Sequence, residues 1–263
     1  MAHTNVVTRS NLKRGFHYWL TGTLVLLLAG FVQAEGTPDY RLFDELLLQN
    51  VRNGFVDYDG FRADPRFPEF IAQLGDADPS LLSNKDERLA FYINAYNALA
   101  IQGILDGYSP SGFWSRRKFF RGVEYPVLGE KITLEDLEHK RIRTEGDPRI
   151  HFAIVCASLS CPRLSNRAYL PERLDYQLHD AARQFVNDPV RNRFDLENQN
   201  AAISMIFKWF STDFEQAGGS VQRYLARFAD DGQVADVLRE DGFEMRYLDY
   251  DWNLNGHLST KGK

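Results

Sequence analysis

The sequence predicts a single α+β domain that is largely helical, with a buried central helix packed on a small, mainly antiparallel sheet. The segment Lys85–Asp106 carries apolar residues around nearly its whole circumference, which is typical of a helix surrounded by core. The predicted strands are few and do not alternate with helices in the order of a parallel sheet. Residues 35–263 contain no repeat, low-complexity linker or shift in composition. We therefore expect one globular domain over that range.

Residues 1–34 have the pattern of a signal peptide that is removed on export. Arg9, Lys13 and Arg14 precede an apolar run of 14 residues, and Val32-Gln33-Ala34 supplies the small-residue pattern of a cleavage site. The run is shorter than the roughly 20 residues that a membrane span needs. We expect a periplasmic or secreted protein with no stable membrane span after cleavage.

The charge of the chain argues against nucleic acid as a partner. The full sequence has 31 Lys+Arg and 36 Asp+Glu. Residues 1–34 hold three basic and no acidic residues, so 28 basic and 36 acidic residues remain, a net charge of −8. An acidic domain of this kind does not suit nucleic acid or electrostatic docking on an anionic membrane. The local basic patch, Arg116-Arg117-Lys118 with Arg121, lies in a predicted loop, which is either solvated or covers a site for an anionic small molecule or an acidic peptide.

Four elements are predicted in the first part of the chain. They are an amphipathic helix at 40–48, a brief edge strand or extended arm at 55–61, a helical turn at 69–74 and the central helix. Ser83 is placed to cap the central helix, and Gly107 follows its last turn.

Two asparagines interrupt the apolar surface of the central helix. Asn94 and Asn97 are three residues apart and share one helical face. A buried amide without partners costs about 1–3 kcal/mol, so each should bind the backbone of a neighbouring loop or line a site.

The second part of the chain predicts further helices and two extended regions. In order, they are a hairpin at 123–132, a helix from Thr133 to about Arg143, a helix at 171–187, a short helix at 203–210, a helix that begins after Ser220, and a final strand at 243–252.

The stretch Asp147–Arg163 holds both cysteines and one histidine. Residues 150–156 are apolar and β-branched and predict a strand, and the small polar residues 157–160 predict a turn. In a regular strand, His151 and Cys156 point to opposite faces. Cys161 lies beyond the turn and can reach either face.

This stretch supports two kinds of site. Two cysteines five positions apart in an exported protein predict a Cys156–Cys161 disulfide. Alternatively, Cys161 is a thiolate nucleophile and His151 or His139 is its base. Glu138, Asp147 or Asp249 would then orient the imidazole of that histidine. Asn94 and Asn97, together with the loop hydroxyls Ser158 and Ser160, are candidates to line such a site. The spacing of His151, Cys156 and Cys161 matches no zinc pattern, so we expect no metal and no cofactor.

Several separated motifs resemble one uncharacterised family, domain of unknown function 547. They are FYINAYNALAI at 91–101, LEDLEH at 134–139, DPRIHFAIVCASLSCPRL at 147–164, IFKWFSTDF at 206–214 and YLDYDWNLN at 247–255. The resemblance implies little about activity, because the activity of the family is unknown. A buried helix followed by a His-led segment also resembles, in part, the transglutaminase and papain-like cysteine enzymes. Those enzymes carry their nucleophile at the start of the helix, where this chain has no Cys, so no nucleophile is transferred.

The sequence therefore predicts an exported cell-envelope protein of one of two classes. The favoured class is a binding or accessory domain stapled by a disulfide, because that bond consumes the only nucleophilic sulfur. The alternative is a Cys/His-dependent hydrolase or transferase that acts on an amide or peptide. The expected partner is a peptide, a cell-envelope component or an anionic small molecule.

Overall fold

The order of helices and strands is that of an α+β fold. The structure, a computed structural model, describes residues 1–3 and 36–259, so the predicted signal peptide lies outside the described part of the fold. The α-helices are α1 Tyr40–Asn50, α2 Tyr58–Ala63, α3 Arg66–Asp76, α4 Lys85–Leu105, α5 Phe113–Arg121, α6 Leu134–Leu137, α7 Leu174–Val186, α8 Ile206–Trp209, α9 Ser211–Gly218, α10 Val221–Leu225 and α11 Gly232–Arg239. The strands are β1 Val51–Arg52, β2 Phe55–Asp57, β3 Tyr125–Val127, β4 Glu130–Ile132, β5 Arg193–Asp195, β6 Asn200–Ile203, β7 Glu244–Tyr247 and β8 Gly256–His257.

Helix α4 is the buried central helix that the sequence predicts. Every residue from Leu89 to Ile101 is buried, and Gly107 ends the helix region with a φ of +89° that suits glycine. The cap is one residue later than predicted. Asn84 accepts a hydrogen bond from the Glu87 N–H at 3.0 Å, and the Glu87 carboxylate accepts one from the Asn84 N–H at 3.1 Å. Ser83 also donates to that carboxylate, so this capping box fixes the start of the helix.

The strands form three small sheets, where the sequence predicted one. Their orders are β1-β2-β8, β3-β4 and β5-β6-β7. The pairs β1–β2, β3–β4 and β5–β6 are antiparallel, whereas the pairs β2–β8 and β6–β7 are parallel. Helix α4 packs mainly on α2, α3, α6 and the helical turns at 138–142 and 171–173. The α+β class is confirmed, and about half of the described residues are helical.

The buried side chains form two apolar clusters, and the cysteine-containing stretch runs between them. The larger cluster surrounds α4 and includes Ile150 and Ala153. The smaller cluster is built from α7 to α11 and includes Phe152 and Phe207. Because residues 150–153 alternate between the two clusters, the residues that follow are held at their junction.

The predicted strand at 150–156 is wrong. Residues Pro148–Phe152 form a 3-10 helix, which begins with Asp147 accepting a hydrogen bond from the Arg149 N–H at 3.0 Å. After it, the Asn97 amide donates to the Ala153 carbonyl at 3.0 Å and accepts from the Val155 N–H at 2.8 Å. One side chain of α4 thus provides the hydrogen bonds that a neighbouring strand would provide. Because the segment is not a strand, His151 and Cys156 are not restricted to opposite faces, and that prediction is wrong.

Three other predictions need correction. The predicted loop around Arg116 is helix α5, which begins after Gly112 at a φ of +81°. The extended segment that starts at Phe55 ends after three residues because the Asp57 carboxylate caps α2, and β2 lies in the middle of its sheet, not at its edge. The final strand ends at Tyr247, and residues 248–255 are irregular apart from a bridge of Leu254 to Ser158. The first helix, the hairpin at 125–132 and the helices that start near 133, 171 and 220 are confirmed.

Among the described residues, no helix combines the length and the apolar character needed to cross a bilayer.

Candidate functional site

A cavity of about 350 Å³ brings together most of the residues that the sequence singled out. Its lining includes His151, His139, Glu138 and both cysteines. The rest of the lining comes from α5, from the start of α6 and from aromatic residues of α8 and the C-terminal segment. Residues from Tyr96 to Trp252 therefore converge on one site.

His151 is held by a carboxylate that the sequence analysis did not identify. Its Nε2 lies 2.8 Å from Oδ2 of Asp213 in α9. Arg143 donates two hydrogen bonds to the same carboxylate, from Nε at 2.9 Å and Nη2 at 2.7 Å. The His151 ring stacks on Phe210 with ring centroids 3.9 Å apart. Asp213 lies inside the motif at 206–214, but its distance of 62 residues from His151 left no local signal of the pairing.

The electrostatics of this network leave His151 neutral. Burial lowers the pKa of His151, and the bond to Asp213 offsets only part of that effect. The bonds from His151 and Arg143 hold the pKa of Asp213 well below its usual range, so the carboxylate is ionised and can only accept. His151 must then carry its proton on Nε2. Its Nδ1 is buried with no hydrogen-bond partner among the described residues.

Glu138 is a carboxyl group that is half protonated near neutral pH. Burial, reinforced by the negative charges of Glu135 and Asp213, raises its pKa to about 7, whereas Arg143 acts in the opposite direction. A hydrogen bond joins it to the buried Tyr96 hydroxyl. In its protonated form, Glu138 can donate a hydrogen bond into the cavity.

His139 contacts Arg143, the same side chain that binds the Asp213 carboxylate. Its Nδ1 lies 2.9 Å from Nη1 of Arg143, and its ring is 6.5 Å from that of Phe210. Partial burial and the Arg143 charge lower the pKa of His139. Both cavity histidines are therefore uncharged at neutral pH.

Cys156 and Cys161 are joined in a disulfide whose Cα atoms are 6.1 Å apart. The Cys156 N–H donates to the Cys161 sulfur at 2.8 Å. The Cys156 sulfur lies 3.0 Å from the Ser158 hydroxyl and 3.2 Å from the Tyr250 hydroxyl. In this state neither sulfur is a thiolate, the form that a nucleophilic mechanism needs.

The two asparagines of α4 serve the backbone and do not line the cavity. Asn94 donates to the Tyr169 carbonyl at 2.7 Å and accepts from the Tyr169 N–H at 2.9 Å, and Asn97 holds Ala153 and Val155 in the same way. Both amides are thus fully engaged with loops.

The loop hydroxyls also have structural partners. Ser158 is buried beside the disulfide, and Ser160 accepts from the Asp251 N–H at 2.8 Å. The Asn255 N–H donates to the Ala157 carbonyl at 3.2 Å, and the Leu159 N–H to the Asn253 carbonyl at 2.8 Å. These bonds attach the C-terminal segment to the cysteine loop.

That attachment builds an aromatic wall, which we define as Trp209, Tyr250 and Trp252. The ring centroids are 4.7 Å apart for Trp209 and Tyr250, 4.5 Å for Tyr250 and Trp252, and 5.7 Å for the two tryptophans. Trp209 remains 43% exposed. The sequence carries no signal of this wall, because composition does not distinguish a core ring from one that lines a cavity.

Helix α5 forms a basic wall that adjoins these rings. Arg116 lies over the Trp252 ring at 4.2 Å, and Arg117 and Arg121 also line the cavity. Within the described part of the chain, Arg121 is the one cation of α5 that has an ion-pair partner, Glu135, at 2.5 Å. A ligand with a flat apolar group and an anionic group fits between the two walls.

Within residues 1–3 and 36–259, no cluster of three or more His, Cys, Asp or Glu side chains is arranged to hold a metal ion.

Comparison with curated proteins and with solved structures gives no match in either set. The partial resemblance to transglutaminase and papain-like enzymes therefore stays a prediction from sequence. A family model described as "Protein of unknown function, DUF547" matches residues 79–186. The matched segment holds α4, α5, both cavity histidines and the disulfide, whereas Asp213 and the aromatic wall lie beyond it. Residues 79–186 of this chain therefore match the DUF547 family model, and the function of that family is unknown.

Proposed function

We propose that this protein is an exported cell-envelope domain that binds an anionic small molecule, or an acidic peptide side chain, in the cavity. The observation that carries the proposal is the pairing of the aromatic wall with arginines of α5 that have no carboxylate partner in the described chain. The Cys156–Cys161 disulfide holds the loop to which the aromatic wall is attached.

The charges that face the cavity favour an anion. Arg121 and Glu135 neutralise one another. Glu138 is half protonated at neutral pH, so Arg116 and Arg117 leave the cavity with a positive charge. The chain as a whole has a formal charge of −5. This local reversal of sign concentrates the attraction for anions at the cavity.

The size and composition of the cavity suit a small ligand. Its volume of about 350 Å³ is near the lower end of the roughly 300–1,000 Å³ that ligand sites occupy. An aromatic or otherwise flat group can stack on Trp209 or Tyr250, and guanidinium groups bind carboxylates and phosphates in a planar, two-point geometry.

A fluorescent aromatic anion, 8-anilinonaphthalene-1-sulfonate, tests the proposal. Titration into the native protein should raise its emission with one saturable site. Arg116→Gln combined with Arg117→Gln should weaken binding about tenfold or more, since hydrogen bonds to charged groups contribute about 1.5–3 kcal/mol. The matched control is Arg41→Gln, whose side chain is 83% exposed on α1. Equal affinity in the double variant, or an equal loss in the control, would contradict the proposal.

A thiol hydrolase or transferase is the second candidate, because Cys161 and His151 line one cavity and the Asp213 carboxylate binds His151. It requires a reduced enzyme in which His151 activates Cys161. The nitrogen of His151 that is free to act as a base is the buried Nδ1, which makes this role less favourable than binding.

Alkylation separates the two candidates. Without reductant, iodoacetamide should label neither sulfur even after denaturation. Fast labelling of native Cys161 that slows in His151→Ala would replace the binding proposal with a cysteine enzyme.

Export has its own test. Mass spectrometry of the protein from the cell envelope should find an N-terminus at or near Glu35. A cytoplasmic species with Met1 intact would overturn this part of the proposal.

A further inference from the structure

Helix α5 presents aromatic and basic side chains to solvent on the same short element. Its sequence is FWSRRKFFR, with four cations and no carboxylate. Trp114 is 78% exposed and is the most exposed aromatic side chain among the described residues, and its neighbour Phe113 is 65% exposed. Apolar rings left in water next to a cluster of charges mark an interaction surface.

The exposure of Trp114 follows from the way in which α5 is attached to the core, because Phe119 near the end of the helix anchors it there. Phe119 is fully buried, and its ring lies so close to Gly103 of α4 that a Cβ there would meet it at 2.9 Å. Phe120 packs edge-on against Phe119 at 4.9 Å. With these rings turned inward, the first turn of the helix cannot also bury Trp114.

The charges on the exposed side are free to bind a partner. Arg117 and Lys118 are exposed. Among the described residues, the charged group of Lys118 contacts only the Tyr108 ring, whose centroid lies 5.0 Å from Nζ. The negative net charge predicted no docking on an anionic membrane. The structure, however, concentrates these cations on helix α5.

We propose that α5 docks on an anionic lipid bilayer, with Phe113 and Trp114 in the interface and Arg117 and Lys118 against the headgroups. Tryptophan favours the membrane–water interface, and basic residues beside it are attracted by anionic lipid. A nine-residue helix is about 14 Å long, so it lies on the surface and does not span the bilayer. Because Phe113 and Arg117 also line the cavity, docking places the mouth of the cavity at the membrane.

Sedimentation with vesicles tests the proposal on the mature protein. Phosphatidylglycerol vesicles should bind the protein at 50 mM NaCl and release it at 500 mM, and phosphatidylcholine vesicles should not bind it. Tryptophan emission should shift to the blue on binding. Trp114→Phe should remove most of that shift while it retains binding.

Two variants outside the cavity lining provide the quantitative test. Lys118→Gln should weaken vesicle binding about fivefold, the effect expected for one basic residue at an anionic surface. Trp114→Ser should weaken it about tenfold, since it removes an apolar side chain from the interface. Both should keep the wild-type affinity for 8-anilinonaphthalene-1-sulfonate, so a failure of vesicle binding is distinct from a failure of the ligand site.

The control variants are Tyr176→Ser and Arg41→Gln, which alter an aromatic residue that is 66% exposed on α7 and an exposed arginine on α1. They should bind vesicles as the wild type does. No binding to phosphatidylglycerol at 50 mM NaCl would overturn the proposal, as would equal losses in the controls. Binding to polyglutamate but not to vesicles would assign α5 to an acidic protein partner and also overturn it.

Discussion

Replacement of Glu138 by Gln should stabilise the protein, and the gain should grow with pH. Glu138 has a pKa of about 7 because its surroundings disfavour the charged form. Gln is uncharged at every pH and has nearly the same shape as the protonated acid. It can keep a hydrogen bond with the Tyr96 hydroxyl, so the substitution removes the ionisation and little else.

The magnitude follows from the difference between the folded and the unfolded pKa. A group whose pKa is raised on folding contributes stability that is present below its unfolded pKa and is lost as the pH rises through its folded pKa. For a change from 4.5 to about 7, the ionised form costs about 3 kcal/mol. The advantage of Glu138→Gln should therefore be below about 0.5 kcal/mol at pH 4.5 and should approach about 3 kcal/mol at pH 8.

Urea unfolding at a series of pH values measures this difference. Glu135→Gln is the matched control, because Glu135 lies three residues earlier, lines the same cavity and is paired with Arg121. Any change that Glu135→Gln causes in the free energy of unfolding should be constant above pH 6. The gain in the free energy of unfolding from Glu138→Gln should still rise between pH 6 and pH 8. An advantage that does not change with pH, or a wild type that is the more stable protein at pH 8, would refute the assignment of a buried, protonated Glu138.

Two further predictions concern the framework of the site. Asn94→Leu and Asn97→Leu should each lower the free energy of unfolding by about 1–3 kcal/mol, since each leaves a buried backbone N–H and C=O without partners. Gln184→Leu on the exposed face of α7 is the control in urea titrations, and unchanged midpoints in both asparagine variants would contradict the reasoning. Cys156→Ser and Cys161→Ser should each cost about 2 kcal/mol, because the loop they close is short and a short loop gains least from a cross-link. A loss well above that in the same assay would show that the disulfide does more than close the loop.

Local pattern was sufficient for the parts of the fold whose hydrogen bonds are local. The apolar circumference of α4 and the glycine that follows it predict the central helix almost to the residue. The hairpin at 125–132 and the helix after Thr133 are likewise fixed by side chains close to them in sequence, such as the Thr133 hydroxyl that accepts from the Asp136 N–H at 3.1 Å.

Sequence reasoning failed where a distant side chain replaced the local hydrogen-bonding pattern. The β-branched run at 150–156 is typical of a strand, but Asn97 binds its backbone from 56 and 58 residues away. The same limit explains why Asp213 and the aromatic wall were missed as parts of the site. Their roles depend on contacts such as His151–Asp213, 62 residues apart, and Trp209–Tyr250, 41 residues apart, and a single sequence carries no record of those contacts.

The contacts of Asn97, the Asp213 carboxylate and the disulfide together explain why His151 and Cys161 share a cavity without forming an active pair. Asn97 fixes the backbone between His151 and Cys156, which directs both toward the junction of the two apolar clusters. Asp213 accepts the hydrogen bond from the protonated Nε2 of His151, and the disulfide engages the sulfur of Cys161. The sulfur that a thiol enzyme needs is engaged in the disulfide, and the unpartnered nitrogen of His151 is the buried Nδ1. The groups that stay open to the cavity are Arg116 and Arg117 of α5, the aromatic wall and Glu138, which is partly protonated at neutral pH, and these are groups that bind a ligand.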